Sequence, residues 1–274
     1  MAPPVSLAAM LDAVAHQRVR GRASVAIGAG LRGLHQSGAA KVMLPKVHGP
    51  VPEVVFLNTA GGITGGDRLD YALTVEPAAQ VVATTQTAER VYASAGGFGE
   101  VAVDLKVGAG ARLDWLPQEV IAYEGGRLSR SLSVALAADA TFLFVELLAL
   151  GRHAMGEHLS DVILRDARDV RRDGRLIYAE PLEVTAGLLG FEGASGLRGA
   201  GAIASLGLFG ADAPLLAEAA RAVEMESVTA AVSGWDDKLI IRAHAGDSWP
   251  LRRYVAQVLH VLRGGAALPR VWQI

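Results

Sequence analysis

Residues 71–85 read YALTVEPAAQVVATT, residues 101–116 read VAVDLKVGAGARLDWL, and residues 132–146 read LSVALAADATFLFVE. Each is an alternating strand, a tight turn of small residues and a second strand. Tyr71, Leu73 and Val75 alternate with Ala72 and Thr74. Val101, Val103, Leu105 and Val107 alternate with Ala102, Asp104 and Lys106. Leu132, Val134 and Leu136 alternate with Ser131, Ser133 and Ala135. Period-two alternation is the mark of a strand with one buried face. The turns EPAA, GAGA and AADA recur about thirty residues apart, so a hairpin-like unit is repeated. A repeated unit of this kind stacks, each copy burying the face that its neighbour exposes. The expected fold is mainly β within an α+β class, a layered or solenoid-like run of strand repeats. A plain β-sandwich is the alternative.

Strand signals continue outward from about Val25 to Tyr178. A charge-rich pair, HLSDVILRDARDV and RLIYAEPLEV, flanks Asp173-Gly174, a hairpin-turn dipeptide. Residues 1–20 read as a short helix or a flexible arm. Helices gather near the C-terminus. Asp212 and Pro214 open the run LLAEAARAVEME. Ser248 is a candidate cap for a helix ending at Gly264, with Leu251, Tyr254, Val255, Val258, Leu259 and Leu262 at helical spacing. Residues 238–244 between them read as a strand. No linker divides residues 1–274, and one domain is expected.

Composition narrows function. Apolar residues are 51% of 274 and charged residues 20%, so a large core is available and disorder is excluded. Net charge is −2 with no basic block, unlike a nucleic-acid binder. The absence of cysteine removes thiolate metal sites and thiol nucleophiles. The N-terminus lacks a basic leader and holds Asp12; the longest apolar run, 140–151, is too short to span a bilayer and contains Glu146. A soluble, cytoplasmic chain is expected.

The glycine-rich stretch 58–67, NTAGGITGGD, has neither the P-loop Lys-Ser/Thr nor G-x-G-x-x-G. Its glycines fit positive φ or close backbone packing, with Asp67 presented at the end of the turn. Residues 193–196 fall one short of a nucleophile elbow. His153 and His158, in HAMGEH, match no zinc-protease spacing. Glu146 is more informative. It lies in FLFVELLAL, apolar on both faces, and shares a face with Phe142, Phe144 and Leu148. A carboxylate there needs a partner, such as Arg152, or water, or a cation in a polar tunnel. Glu119 and Glu180 are further acids beside apolar strands. Together with Asp67 and Glu157 these acids are candidates to line an acidic path for a divalent cation.

Four blocks in order, FLNTAGGITGGDRL (56–69), TTQTAERVYAS (84–94), LDWLPQEVIAYEGGRLSR (113–130) and ELLALGRHAMGE (146–157), with PRVW (269–272), resemble the UreD (UreH) family of urease accessory proteins. The likeness runs from about Arg18 to the C-terminus. The chain departs from the family pattern at Met43, Ala93, Val120 and Tyr123-Glu124. The resemblance implies a strand-rich, non-catalytic maturation factor with no tightly bound cofactor. It implies assembly with UreF, with the GTPase UreG and with apo-urease, and transient passage of Ni2+. On that reading Asp67, Glu146 and Glu180 line the nickel path, with Glu119 and Glu157 as further members. A purely structural adaptor between UreF and urease is the alternative.

Overall fold

A computed structural model describes residues 18–272 apart from 47–48, 153–154, 192, 194–195 and 198. The expected N-terminal helix or arm therefore falls almost wholly outside the described residues.

Two sheets face each other. The first contains β1 (Arg20–Ile27), β2 (Leu31–Gly38), β5 (Arg68–Val75), β8 (Gly99–Val107), β11 (Arg127–Leu136), β13 (Ile163–Arg172) and β14 (Arg175–Thr185), in the order β14-β13-β11-β8-β5-β1-β2. The second contains β3 (Ala40–Met43), β4 (Glu53–Asn58), β6 (Gln80–Thr85), β9 (Arg112–Trp115), β12 (Thr141–Leu150), β15 (Ala202–Phe209), β16 (Val228–Trp235) and β17 (Lys238–Ala245), in the order β16-β17-β15-β12-β9-β6-β4-β3. Two short strands, β7 (Glu89–Val91) and β10 (Val120–Ala122), pair with each other, and β10 also pairs with β12.

The repeated unit is not a hairpin. β5 pairs with β1 and β8, while β6, across the EPAA turn, pairs with β4 and β9. Likewise β8 and β9, and β11 and β12, enter different sheets. Each tight turn is thus an arch that carries the chain from one sheet to the other. Pairing is then with the equivalent strand of the next repeat, in parallel, which is the solenoid arrangement. The turns stack by the same rule: Gly108 N donates to Val75 O and Ala137 N to Val107 O. The Asp173-Gly174 turn does close a hairpin, with φ of 48° and 79°, between β13 and β14.

The alternating residues point as read: Leu69, Tyr71, Leu73, Val75, Val103, Leu105, Val107, Leu132, Val134 and Leu136 are buried between the sheets. The second sheet is covered on both faces. Its inner face brings Phe56, Leu113, Trp115, Phe142 and Phe144 to the same core. Its outer face packs Leu143, Val145, Leu206 and Ile241 against a helix.

That helix is the third of three among the described residues: α1 (Ala186–Leu189), α2 (Ala217–Arg221) and α3 (Ser248–Leu262). α3 buries the six apolar residues read at helical spacing, each worth about 1.5–3 kcal/mol relative to exposure. Its cap is Asp247, whose side chain accepts from Trp249 N at 2.7 Å; Ser248 is already helical. The extended backbone of Asp247 suits an N-cap. Gly264, at φ 60°, ends the helix as expected. The helix expected after Pro214 is shorter than its sequence run. A 3₁₀ turn over Ala213–Leu216 leads into α2, which stops at Arg221.

Candidate functional site

β12 runs through the middle of the second sheet, and its inner face carries Glu146 among phenylalanines. Glu146 is 4% exposed. Its counter-charge comes from the opposite sheet: Arg130 of β11 reaches Glu146 Oε2 at 2.6 Å. Arg152, the partner anticipated from sequence, instead pairs with Glu157. Trp115 Nε1 donates to Glu146 Oε1 at 3.3 Å. The Arg130 contact lies outside hydrogen-bond geometry, so Glu146 Oε2 is compensated in charge without a directed bond.

The ion pair is one end of a ladder. Arg130 Nε and Nη2 donate to the two oxygens of Asp166 at 3.0 and 2.6 Å. Arg168 joins Asp166 to Glu180. Arg242 Nε donates to Glu180 Oε1 at 2.7 Å, and the Tyr178 hydroxyl to Glu180 Oε2 at 2.8 Å. Three carboxylates and three guanidiniums alternate from the centre of the core to Arg242, which is exposed. The signs cancel along the run. Burial raises the Glu146 carboxyl, against the pull of Arg130. Burial also acts to raise Asp166 and Glu180, but the arginines more than offset it, and both end below the ordinary range.

At its inner end the ladder meets a narrow cavity of about 70 Å³ lined by Glu146, Arg130, Trp115, Gln118, Asn58 and Glu89. Glu89 differs from every acid of the ladder, because among the described residues it makes no ion pair; the adjacent Arg90 acts on it through its charge. Asn58 Nδ2 donates to its two oxygens, each at 3.3 Å. Burial pushes Glu89 up to about 7, opposed by the Asn58 bond, the Arg90 backbone and the Arg90 charge, with the charge of Asp67 adding to the rise. Asp67 is itself buried and holds the backbone: Val19 N donates to Oδ1 at 2.7 Å and Thr64 N to Oδ2 at 2.9 Å. It pins the glycine-rich turn, whose glycines serve close approach. A Cβ on Gly62 would lie 2.2 Å from the Tyr92 ring, and one on Gly65 2.3 Å from Gly96 O.

Of the acids singled out in the sequence, Glu146 and Glu180 thus stand on one ladder, and Asp67 lies off it, bonded to the backbone of Val19 and Thr64. The other two stand elsewhere. Glu119 pairs with Arg252 of α3 at 2.7 Å, beside a separate groove. Glu157 pairs with Arg152 on the segment after β12, and that bond brings it down to about 2. His158 is exposed, and His153 lies outside the described residues. Among the described residues no group of three or more His, Asp or Glu could hold a metal ion.

Glu89, Arg130, Asp166, Arg168 and Arg242 escaped the sequence reading. Three of them carried a signal in their parity. Arg130 stands two residues from both Leu128 and Leu132, and Asp166 and Arg168 stand between Leu164 and Val170, all on buried positions.

The model of the UreD urease accessory protein family matches residues 13–273. A urease accessory protein UreD from Dinoroseobacter shibae is 54% identical over 244 residues, 89% of this chain and 86% of that protein. One from Jannaschia sp. is 52% identical over 268 residues, 97% of this chain and 100% of that protein. One from Paracoccus denitrificans is 48% identical over 271 residues, 97% of each. With this match and this likeness over nearly its whole length, the chain belongs to the UreD family of urease accessory proteins.

Proposed function

We propose that this chain docks on apo-urease together with UreF and UreG and conducts Ni2+, as cargo, toward the urease active site without catalysing a reaction itself. The observation that carries this reading is the run of polar groups from Glu89 through Glu146 to Glu180 and Arg242 across an otherwise apolar interior. Burying the four charges of Glu146, Arg130, Asp166 and Arg168 is costly, and apolar side chains of similar volume would stabilise the core at least as well. A path for a dication in transit supplies a reason for them: weakly holding, exchangeable oxygens, none forming a closed cage. Among the described residues Glu89 makes no ion pair, and it borders the cavity, so its oxygens are ones a passing cation could use. No helix among the described residues is long and apolar enough to cross a membrane, in keeping with action in the cytoplasm.

The second reading is an adaptor that bridges UreF and urease and carries no metal. It is favoured by the arginine partner that holds each of Glu119, Glu146, Glu157 and Glu180. Glu146→Gln separates the two, because it keeps shape and removes charge. Co-expressed with UreF, UreG and urease at limiting nickel, the variant is expected to assemble normally while urease nickel content falls severalfold. Normal nickel content in an assembled complex removes the conduit and leaves the adaptor.

A further inference from the structure

Four strands end the two sheets, and three of these edges are guarded. β2 carries Arg32 and His35, β14 carries Pro181 between Glu180 and Glu183, and β3 is four residues long. Charge, proline and shortness are the ways an edge avoids pairing with another chain. β16 has none of them. Val-Thr-Ala-Ala-Val-Ser-Gly-Trp, residues 228–235, is eight residues without a charge or a proline. It pairs with β17 on one side and with no strand among the described residues on the other.

The open edge offers backbone groups. Arg221 Nη2 and Nε donate to Val232 O at 3.1 and 3.3 Å, so that carbonyl points away from β17, and a strand added there takes the place of the Arg221 side chain. In an antiparallel ladder every second residue shares this direction. Ala230 and Gly234 therefore turn their N–H and C=O outward as well. A groove runs along each side of the edge. Val228, Ala230 and Val232 line one of about 470 Å³ with Val223 and Met225. Ala231, Ser233 and Trp235 line one of about 1170 Å³ with Leu176 and Tyr178. A strand added at β16 would place alternate side chains in the two grooves.

Charge selects the occupant. Glu224 and Glu226 precede the strand, and Asp236 and Asp237 follow it, all exposed. Among the described residues Glu224, Glu226 and Asp237 make no ion pair, and Asp236 makes only one, at 3.8 Å to Lys238. Antiparallel self-pairing would set the acids of one copy against those of the other, which is repulsive. We propose that β16 is a docking edge for a partner protein that adds an extended, uncharged, β-prone segment flanked by Lys or Arg at both ends. Acids at both ends of β16 suit such a segment in either direction.

The test uses the full chain and two blocked, fluorescently labelled peptides. One is Lys-Arg-Thr-Val-Thr-Val-Thr-Lys-Arg; the other has Glu at the four basic positions. Anisotropy titration is expected to show the basic-flanked peptide binding about tenfold or more tightly than the acidic one, with the gap shrinking as salt rises. Bound peptide should slow amide exchange at Ala230, Val232 and Gly234. Glu224→Lys with Glu226→Lys should erase the preference. So should Asp236→Asn with Asp237→Asn, which tolerates the positive φ of those residues, 41° and 58°. Ala230→Pro removes an outward N–H and leaves the β17 ladder intact, so it should abolish binding by a folded protein. Equal affinity for the two peptides, or no protection at those three amides, overturns the proposal. Self-association of the unaltered chain that Ala230→Pro abolishes also overturns it, by giving the edge to a second copy.

Discussion

The second sheet separates two cores of opposite character. On one side, between the sheets, Phe56, Phe142 and Phe144 share their space with Glu146, Arg130, Asp166 and Arg168. On the other, α3 packs Leu251, Tyr254, Val255, Val258, Leu259 and Leu262 on leucine, isoleucine, valine and alanine. A single strand, β12, serves both: Leu143, Val145 and Leu147 face the helix, while Phe142, Phe144 and Glu146 face the opposite sheet. The difference shows which core is shaped by stability alone. The helix side is filled as packing requires, with one buried ion pair described at its rim, Asp114 with Arg263 just past α3. The inter-sheet side carries charges that packing does not need, and they converge on a cavity.

The sharpest way to break the contrast is to strand a charge. Glu146→Ala leaves Arg130 buried with less compensation and opens space beside Trp115, and a cost of about 3–5 kcal/mol is expected in denaturant unfolding. Replacing both partners, Arg130→Met with Glu146→Met, should recover only part of that loss, because Asp166 keeps Arg168 but loses both hydrogen bonds from Arg130. The remaining run Asp166–Arg168–Glu180–Arg242 stays balanced, two acids against two guanidiniums. A double variant as unstable as the single one would mean that the ladder holds the core together. The matching cut on the dry side, Leu259→Ala at a fully buried position, should cost about 2–4 kcal/mol. That cost should vary little with pH, since the six residues that α3 buries carry no group titrating between pH 4.5 and 8.

Much of this contrast was written in the sequence, though unevenly. Alternation in β5, β8 and β11 is legible because the first sheet keeps one face in water. Continuous apolarity in FLFVELLAL is legible because β12 is covered twice, and it exposed Glu146 as the misfit. The arches were not legible. A strand, a small-residue turn and a strand describe a hairpin and an arch equally, and the pairing that distinguishes them is decided about thirty residues away. The partner of Glu146 was hidden for the same reason. Arg152 is near in sequence, but Arg130 faces Glu146 across the gap between the sheets. Glu89 was hidden by its setting, a three-residue strand among polar neighbours, where no period exists to mark it as inward.

The smallest expected effect is the most specific to the charged core. Glu89 has its pKa raised from 4.5 to about 7, so between those values the folded chain holds a proton that the unfolded chain has released. Its stabilising contribution is complete below pH 4.5 and is lost as pH rises through 7. The full shift would correspond to about 3 kcal/mol, but Glu89 is partly open to solvent, and about 1–2 kcal/mol is the expected share. Glu146 is raised and works in the same direction, whereas Asp166, Glu180 and Glu157 are lowered and work against it. The difference between two proteins therefore isolates Glu89 better than any one profile. Glu89→Gln mimics the protonated acid at every pH. Unfolding curves of the two proteins should coincide near pH 4.5 and separate toward pH 8, with the glutamine variant the more stable. Parallel profiles across that range would mean that water reaches the Glu89 carboxylate freely, and the cavity beside Glu146 would then be open and wet instead of closed.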